Sequence, residues 1–344
     1  MSVDNHALRV ESVFKRYTKP SFLGFGRSKA LETQALKDIS FTIECGGTMG
    51  LLGPNGSGKT TLLKIIATLL EPTSGNVVLN GIDIGRNPRK ARGRIGLVTC
   101  DERSFYWRLS GRENLKFFGA LYGLPSEVTK KRSEMLLEML GLGVAADRPF
   151  QSYSSGMKQK LAIARGLLSE PELILYDEPT RSLDPLSAFQ IRQWLMENRK
   201  SNQSQTHLIA TNQLQEAEQL CDRVVIVSKG ILLASGTVAE IRDTWMSSRR
   251  EMYEVIYEGS VSGRELIGAA GGNVVDHSPD PDRAGRFIVK FECSEVDGRL
   301  SAVLGTLTRS GATILHCRSQ QASFDEIFCS LVEAAPVAQA EVAQ

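Results

Sequence analysis

The segment GPNGSGKT combines residue types and spacing that could hold a triphosphate. It matches G-x-x-x-x-G-K-[ST] between a strand pattern and a helix pattern, which is the context that this motif requires. The glycines let backbone N–H groups turn toward an anion, and the helix start adds its positive dipole end. Lys59 would supply a positive charge for the β- and γ-phosphates, and the Thr60 hydroxyl would ligate magnesium. The expected cradle consists of Gly53, Pro54, Asn55, Gly56, Ser57, Gly58, Lys59, Thr60 and Thr61.

Two acidic residues end a second apolar run, LILYDE. Asp177 stands where a carboxylate can hold magnesium, directly or through water. Glu178 is placed to polarise a water molecule for attack on the γ-phosphorus. Acidic residues often end strands, so this dipeptide alone would be weak evidence. The dipeptide becomes stronger evidence because it lies in the same α/β unit as the phosphate-binding motif.

The elements that must position these residues follow an α/β pattern. Short hydrophobic strands alternate with helix-period segments from residue 48 onward, which is typical of a largely parallel sheet. Half-buried strands are predicted at 8–17 and 36–45, and a helical segment at roughly 111–147. Residues 19–32 are Gly-rich and basic, and they fit an extended hairpin arm or a mobile loop equally well. The segment RVVIVSKGILLASG predicts a hairpin.

The character of the chain changes near Trp245. Shorter strands and helices then alternate, which predicts a small α+β domain. A split βαβ arrangement is one fold that fits this pattern. The last residues contain too little apolar mass to order themselves. The expected organisation is a domain over 1–245 that contains the phosphate-binding motif, with a helical subdomain at about 103–165, an accessory domain over 246–335 and a disordered tail over 336–344.

Composition excludes several classes of function. The 344 residues are 42% hydrophobic and 23% charged, with a net charge of +2, which argues against a dedicated nucleic-acid binder. The six cysteines are scattered without CxxC spacing, so we expect reduced thiols and no cysteine metal site. No run of 18 apolar residues occurs, and the N-terminus lacks a secretory apolar region. Any membrane role is therefore expected to come through a partner.

Two further segments surround ILYDEP, namely YSSGMKQKLAIARGLL before it and SLDP after it. With the phosphate-binding motif, this order resembles the nucleotide-binding subunit of ABC transporters over roughly residues 8–245. The resemblance implies a P-loop ABC-type ATPase fold with a mixed sheet and a helical subdomain. It also implies binding of ATP and Mg²⁺, hydrolysis of ATP to ADP and phosphate, and a head-to-tail dimer with two ATP molecules at the interface.

The resemblance assigns roles to further residues. SSGMKQ is similar to the signature motif of that family, in which a serine and a glycine at a helix N-terminus hold the γ-phosphate bound to the opposite protomer. Asp184 matches the loop that links the two sites. Tyr17 matches the aromatic residue that stacks on adenine, although a surface tyrosine at a strand end is the alternative. The signature residues are Ser154, Ser155, Gly156 and Met157.

One departure concerns a glutamine that the family usually carries after the strand IGLV. The corresponding position here is Cys100 or Asp101. Asp101 or Glu102 could still touch magnesium through water, so metal binding is not lost. Without the glutamine, the resemblance does not indicate how the state of the magnesium site is transmitted to a membrane partner.

A second departure concerns a histidine that the family normally places after the strand LIAT, where it contacts the γ-phosphate and the attacking water. Here the residue is Asn212. His207 lies five residues earlier on the same strand, about 16 Å away at roughly 3.3 Å per residue, and cannot replace it. An asparagine donates an amide hydrogen bond but has no titratable proton. We therefore predict a slow ATPase, or a heterodimer in which the partner subunit bears the usual histidine.

The aromatic triplet Phe105, Tyr106 and Trp107 lies between two arginines, Arg103 and Arg108. Relatives receive the coupling helix of their membrane partner in this region. Docking of that helix and packing into the core are equally compatible with the sequence.

Within the family, the chain most resembles subunits that energise an exporter with a separately encoded permease. The segments that carry this resemblance are the arm, ATLLEPTSG, LSGRENLKFFGALYGL and the ending SFDEIFCSL. It implies a peripheral protein on the cytoplasmic face of the membrane, bound to an integral membrane permease and to a second ATP-binding subunit. The alternatives are an ATPase acting on nucleic acid or ribosomes, and an ATP sensor without turnover. The sequence leaves open whether the cargo is polysaccharide, lipid or drug, and whether the accessory domain stabilises the dimer or senses a ligand.

Overall fold

The computed structural model divides the chain into two compact units, Met1–Val238 with Leu331–Gln344, and Ala239–Ser330. The expected arm falls mainly outside the described residues, and Cys100 and the tail over 336–344 fall wholly outside them. The boundary expected after residue 245 stays a prediction. The residues that the structure describes are 5–19, 31–99, 101–202, 204–247, 251–259, 267–268, 270, 273–281, 283, 285–293, 299–320 and 323–335.

The first unit contains two sheets. One is antiparallel, in the order β2-β1-β4-β5. Its strands are β1 (His6–Lys19), β2 (Leu31–Glu44), β4 (Ser74–Leu79) and β5 (Ile82–Asp83). Strand β1 extends beyond its predicted range 8–17, and β2 begins before its predicted range 36–45 and ends at Glu44, because the two strands stay paired as far as Lys19 and Leu31.

The other sheet has six strands in the order β10-β9-β3-β8-β7-β6. All neighbours are parallel except β9 and β10, which form the predicted hairpin. Strands β3 and β8 are buried at every residue, as expected for parallel strands covered on both faces. The strands are β3 (Thr48–Leu52), β6 (Ile95–Thr99), β7 (Leu173–Asp177), β8 (Thr206–Thr211), β9 (Arg223–Ser228) and β10 (Ile231–Gly236).

Some helices of the first unit begin at residues whose side chains cap them. Ser110 and Glu113 form a capping box, while Ser154 and Asp184 cap two later helices with their side chains. The helices are α1 (Lys59–Ile66), α2 (Pro88–Arg92), α3 (Gly111–Leu121), α4 (Ser126–Met139), α5 (Ser155–Leu167), α6 (Pro185–Ser201) and α7 (Leu214–Leu220). Helix α8 (Val238–Ser247) begins at the last residue of this unit's first segment.

Two apolar clusters cover the two faces of the six-stranded sheet. One joins it to α1 and the antiparallel sheet through residues such as Leu8, Leu51 and Leu63. The other joins it to α3, α4, α5 and α6 through residues such as Phe150 and Tyr176. The sheet is thereby held between two layers, and its strand ends form a fixed edge.

The second unit contains an antiparallel sheet in the order β12-β13-β11-β14. The first and last strands of the unit are neighbours in the sheet, an order that fits the split βαβ arrangement. Its elements are β11 (Glu251–Glu258), β12 (Asn273–Pro279), β13 (Arg286–Cys293), α9 (Arg299–Arg309) and β14 (Thr313–Gln320). Helix α10 (Phe324–Ala334) follows in the chain. Of the helices that the structure describes, none has the length and apolar character needed to cross a membrane.

Candidate nucleotide site

The carboxyl ends of three neighbouring strands bring the predicted motifs together. Parallel pairing places Leu52 of β3 beside Thr211 of β8, and Ala210 of β8 beside Asp177 of β7. The glycine-rich loop after β3, Asn212 after β8 and the acidic pair at the end of β7 therefore share one edge of the sheet. Ligands of open α/β sheets bind at this edge.

The glycine-rich loop has a backbone that requires glycine. Gly56 and Gly58 have φ angles of 80° and 109°, in the left-handed region. A Cβ atom on Gly53 would lie 2.1 Å from the carbonyl oxygen of Val227. Gly58 is the N-cap of α1 and has no side chain with which to cap it, so the first N–H groups of α1 can bind an anion.

Lys59 is buried at the start of α1. Its ammonium donates hydrogen bonds to the carbonyl oxygens of Gly53, at 2.6 Å, and Pro54, at 3.1 Å. Burial lowers the pKa of Lys59, while the carboxylates of Glu178 and Asp177 oppose that shift. Because both hydrogen-bond partners are neutral carbonyls, the charge of Lys59 can attract a phosphate.

Two of the residues expected to hold magnesium are in contact. The Thr60 hydroxyl donates to Asp177 Oδ1 at 3.3 Å. Burial raises the pKa of Asp177, and the hydrogen bond from Thr60 and the charge of Lys59 oppose that shift. A hydroxyl and a carboxylate are the hard oxygen ligands that Mg²⁺ takes, usually with waters and substrate phosphates completing the shell. The described residues contain no group of three or more His, Cys, Asp or Glu that could hold a metal alone.

Glu178 adopts a left-handed backbone conformation, with φ of 51°. Its N–H continues the pairing of β7 by donating to the carbonyl of Ala210 at 2.8 Å. One carboxylate oxygen, Oε2, lies 3.0 Å from a guanidinium nitrogen of Arg181. This contact is an ion pair without hydrogen-bond alignment. A non-glycine residue held at positive φ at the sheet edge is the kind of strained position found at functional sites.

A buried hydrogen bond connects the loop after β7 to α7. The Thr180 hydroxyl donates to Glu216 Oε1 at 3.0 Å, and both residues are buried. Burial raises the pKa of Glu216, and the hydroxyls of Thr211 and Thr180 oppose that shift. Thr180 lies two residues after Glu178, and Glu216 lies four residues after the exposed Asn212. Sequence reasoning missed this contact and the Arg181 pair, because neither one leaves a signal in the local sequence pattern.

His207 lies near the start of β8, paired in register with Thr48 and Ile174. Its ring is buried and stacks on that of Tyr176, with centroids 6.0 Å apart. Burial lowers the pKa of His207 to about 4. The histidine therefore lies at the opposite end of the strand from Asn212.

The expected signature residues lie at the tip of α5. Ser154 and Ser155 are exposed, and the Ser154 hydroxyl accepts a hydrogen bond from the Met157 N–H at 3.3 Å. Gly156 is buried, and a Cβ atom there would lie 2.6 Å from Ser187 Oγ. Asp184 accepts a hydrogen bond from the Ser187 N–H at 2.9 Å, and its hydrogen bonds with Ser187 lower the pKa of Asp184. The tips of α5 and α6 thus approach each other at Ser187.

Comparisons with known proteins place this site in a family. The family profile described as ABC transporter matches residues 36–181. The doxorubicin resistance ATP-binding protein DrrA of Mycobacterium tuberculosis is 34% identical over 292 residues, which cover 82% of each chain. The chain belongs to the family of ABC transporter ATP-binding subunits. Members of this family bind ATP, typically with magnesium, and generally hydrolyse it.

Other relatives agree with this assignment. The ABC transporter ATP-binding protein NatA of Bacillus subtilis is 36% identical over 218 residues, covering 63% of this chain and 88% of NatA. The solved structure of cbiO1 from Clostridium perfringens is similar with a TM-score of 0.59 and 29% identity, covering 69% of this chain and 91% of cbiO1. The dimeric post-hydrolysis state of the ATP-binding cassette MJ0796, bound to ADP and Pi, gives a TM-score of 0.57 at 27% identity, over 67% and 98% of the two chains. The predicted ABC-type fold is thereby confirmed.

Two predicted nucleotide-site residues of the ABC subunit lie on strand β1 and after strand β6. Tyr17 is exposed on β1, with the Lys15 ammonium 5.4 Å from the centre of its ring. Asp101 follows β6, whose last residue pairs with Asp177, and accepts a hydrogen bond from the Arg103 N–H at 3.0 Å. The roles of Tyr17 toward adenine and of Asp101 toward magnesium stay predictions.

The aromatic triplet of this ABC subunit divides between the core and the surface. Phe105 is buried and stacks on Phe150, with ring centroids 4.7 Å apart, and the Arg165 guanidinium covers its ring at 4.6 Å. Tyr106 and Trp107 are 50% and 51% exposed. Core packing therefore applies to Phe105, whereas docking stays a possibility for its two neighbours.

Proposed function

We propose that two copies of this chain clamp two ATP molecules between them, and that closing and reopening of the pair drives a separate membrane permease toward export. The observation that carries this proposal is that one chain contains two anion-binding elements at the starts of two different helices. The phosphate cradle at the start of α1 lies at the sheet edge, and the exposed serines Ser154 and Ser155 lie at the start of α5. A second, head-to-tail copy would complete each site.

Each side of the proposed site has a distinct task. The glycine cradle and Lys59 bind the phosphates, and Tyr17 stacks on the adenine. Thr60 and Asp177 would hold magnesium, which neutralises charge on the phosphate oxygens when bound. Glu178 polarises the attacking water, and Asn212 donates a hydrogen bond at the γ-phosphate.

Turnover in this proposal is slow because Asn212 cannot exchange a proton near neutral pH. A heterodimer whose partner carries a histidine at this position would have one faster site. A sensor that binds ATP without turnover is favoured only by Asn212 and the missing glutamine. Phosphate release by the purified protein would exclude the sensor.

The permease contact and the cargo extend the proposal. Tyr106 and Trp107 present an exposed aromatic surface on the helical side of the domain, which suits a coupling helix of a permease on the cytoplasmic face of the membrane. The relative DrrA is named for doxorubicin resistance. That name supports export of an amphipathic small molecule rather than a polysaccharide.

The Glu178→Gln variant tests the clamp, since loss of the carboxylate should prevent hydrolysis while leaving the cradle intact. We expect the purified variant to retain nucleotide and to elute as a dimer with magnesium and ATP, but as a monomer with ADP. The same variant with Lys59→Ala is the matched control and should lose both properties. A Glu178→Gln protein that neither retains nucleotide nor pairs would refute the proposal.

A further inference from the structure

Arg181 has no role in the proposed clamp, yet it contacts the residue that polarises water. Its guanidinium lies 3.0 Å from Glu178 Oε2. The Arg181 side chain is 63% exposed, whereas that of Glu178 is 12% exposed. The arginine is therefore held at the carboxylate by charge rather than by packing, and a stronger anion could replace its partner.

The backbone that carries Arg181 is well fixed. Glu178 and Ser182, on either side of it, both have positive φ, of 51° and 60°. The Arg181 N–H donates to the Glu178 carbonyl at 3.1 Å, and Thr180 is anchored to the buried Glu216. The loop fixes the position of the Arg181 backbone. The part of Arg181 that can move is its long side chain.

The charge of Arg181 reaches the phosphate cradle. Its partner Glu178 directly follows Asp177, which accepts a hydrogen bond from the Thr60 hydroxyl of the cradle at 3.3 Å. Arg181 also lines a cleft of about 400 Å³ together with Ser155 and Asp101. The guanidinium thus has room to turn on the face of the domain where the sheet edge and the tip of α5 are exposed.

We propose that Arg181 recognises the γ-phosphate of ATP, moving its guanidinium from Glu178 to the γ-phosphate oxygens when ATP binds. A phosphate offers more charge than one carboxylate and accepts the planar fork of arginine in a bidentate manner. The exchange leaves the Glu178 carboxylate to the attacking water. It also supplies a cationic donor at a site where Asn212 is neutral. ADP has no γ-phosphate and would leave the Glu178 pair in place, so Arg181 distinguishes ATP from ADP. This inference rests on the proposed nucleotide site.

Binding measurements with two nucleotides test the inference. The full chain and its Arg181→Gln variant are titrated, with magnesium, against ADP and against an ATP analogue whose β–γ bridge is an uncleavable imido group. A charge-assisted hydrogen bond to phosphate predicts that the variant binds the analogue about tenfold more weakly, with ADP affinity within about twofold. Arg181→Lys should recover part of the loss, because a cation remains without the planar fork.

The chain offers a matched control in Arg86. This residue is 86% exposed and pairs with Asp83 three residues earlier, at 3.3 Å, in the same order and spacing as the Glu178–Arg181 pair. Arg86→Gln removes a similar surface ion pair away from the sheet edge and should change neither affinity.

Four results would overturn the inference. Equal losses for ADP and the analogue would mean that Arg181 acts on the shared part of the nucleotide or on the fold. Unchanged affinities would mean that the guanidinium stays on Glu178. A higher rate of ATP hydrolysis in Arg181→Gln would mean that Arg181 inhibits the Glu178 carboxylate. An unaltered chain that binds neither nucleotide would overturn the proposed function, and this inference with it.

Discussion

Replacing Asn212 by histidine gives the sharpest test of how this chain hydrolyses ATP. The side chain is exposed immediately after β8, and register pairing places the end of β8 beside the last residue before the phosphate loop. Histidine at this position would offer a donor and a titratable proton to the γ-phosphate and the attacking water. The natural histidine of the strand, His207, is buried near its other end.

The expected gain follows from what asparagine retains. Loss of one transition-state donor costs about 10²–10³ in rate. Because asparagine keeps an amide donor, we expect Asn212→His to raise kcat by about tenfold, equivalent to about 1.4 kcal/mol in the activation free energy. ATP affinity should change little, since the cradle and Lys59 supply the phosphate contacts. The variant should also gain a pH dependence centred near the ordinary histidine pKa of about 6.5.

Steady-state phosphate release across a pH series measures both effects. Gln213→His is the matched control, because it places the same imidazole on the next exposed residue, whose N–H donates to the Thr211 hydroxyl at 3.0 Å. Adding Glu178→Gln to Asn212→His should abolish the gain. If Asn212→His hydrolyses ATP at the unaltered rate while still depending on Glu178, the substitution at Asn212 does not limit turnover and the reasoning fails.

Two further predictions concern the aromatic triplet and the buried histidine. Phe105→Ala should lower the free energy of unfolding by about 3–5 kcal/mol in denaturant titrations, because it empties a stacked core position. Trp107→Ala should change it by no more than about 0.5 kcal/mol yet weaken co-purification of the permease; undiminished recovery would count against docking. Burial depresses the pKa of His207 to about 4, below the ordinary 6.5, so its contribution to stability is complete above pH 6.5 and lost as the pH falls toward 4. Between pH 7.5 and pH 5 this loss is about 2 kcal/mol, and His207→Gln should show a correspondingly shallower decline; equal slopes would mean that the histidine does not titrate with unfolding.

The parts of the site that lie in one contiguous segment could be predicted from the sequence. Gly53 to Thr61 is such a segment. The spacing of its glycines, lysine and hydroxyl residue is enough to predict a geometry that binds phosphate. The alternation of apolar strands and helices likewise predicted the fold class, which the comparisons confirm. Strand ends were less predictable. Pairing between β1 and β2, rather than their composition, extends the two strands to Lys19 and Leu31.

Contacts between distant side chains could not be predicted in this way. Thr180 and Glu216 are 36 residues apart, and their contact depends on the positions of a loop and a helix. The Arg181 pair depends on the left-handed backbone at Glu178, which no local pattern requires. The aromatic triplet lies in a turn without a helix or strand period, so its residues could not be divided into buried Phe105 and exposed neighbours.

The buried hydrogen bond from Thr180 to Glu216 links the segment that carries Glu178 to the segment that carries Asn212. Any rotation of α7 carries Asn212 along, and through Glu216 it also pulls the loop behind Glu178. The water caught between carboxylate and amide would then keep its alignment while the domain flexes. In the proposed dimer, the timing of hydrolysis would then depend on the approach of Ser154 and Ser155 from the opposite copy, because the carboxylate and the amide would already be aligned.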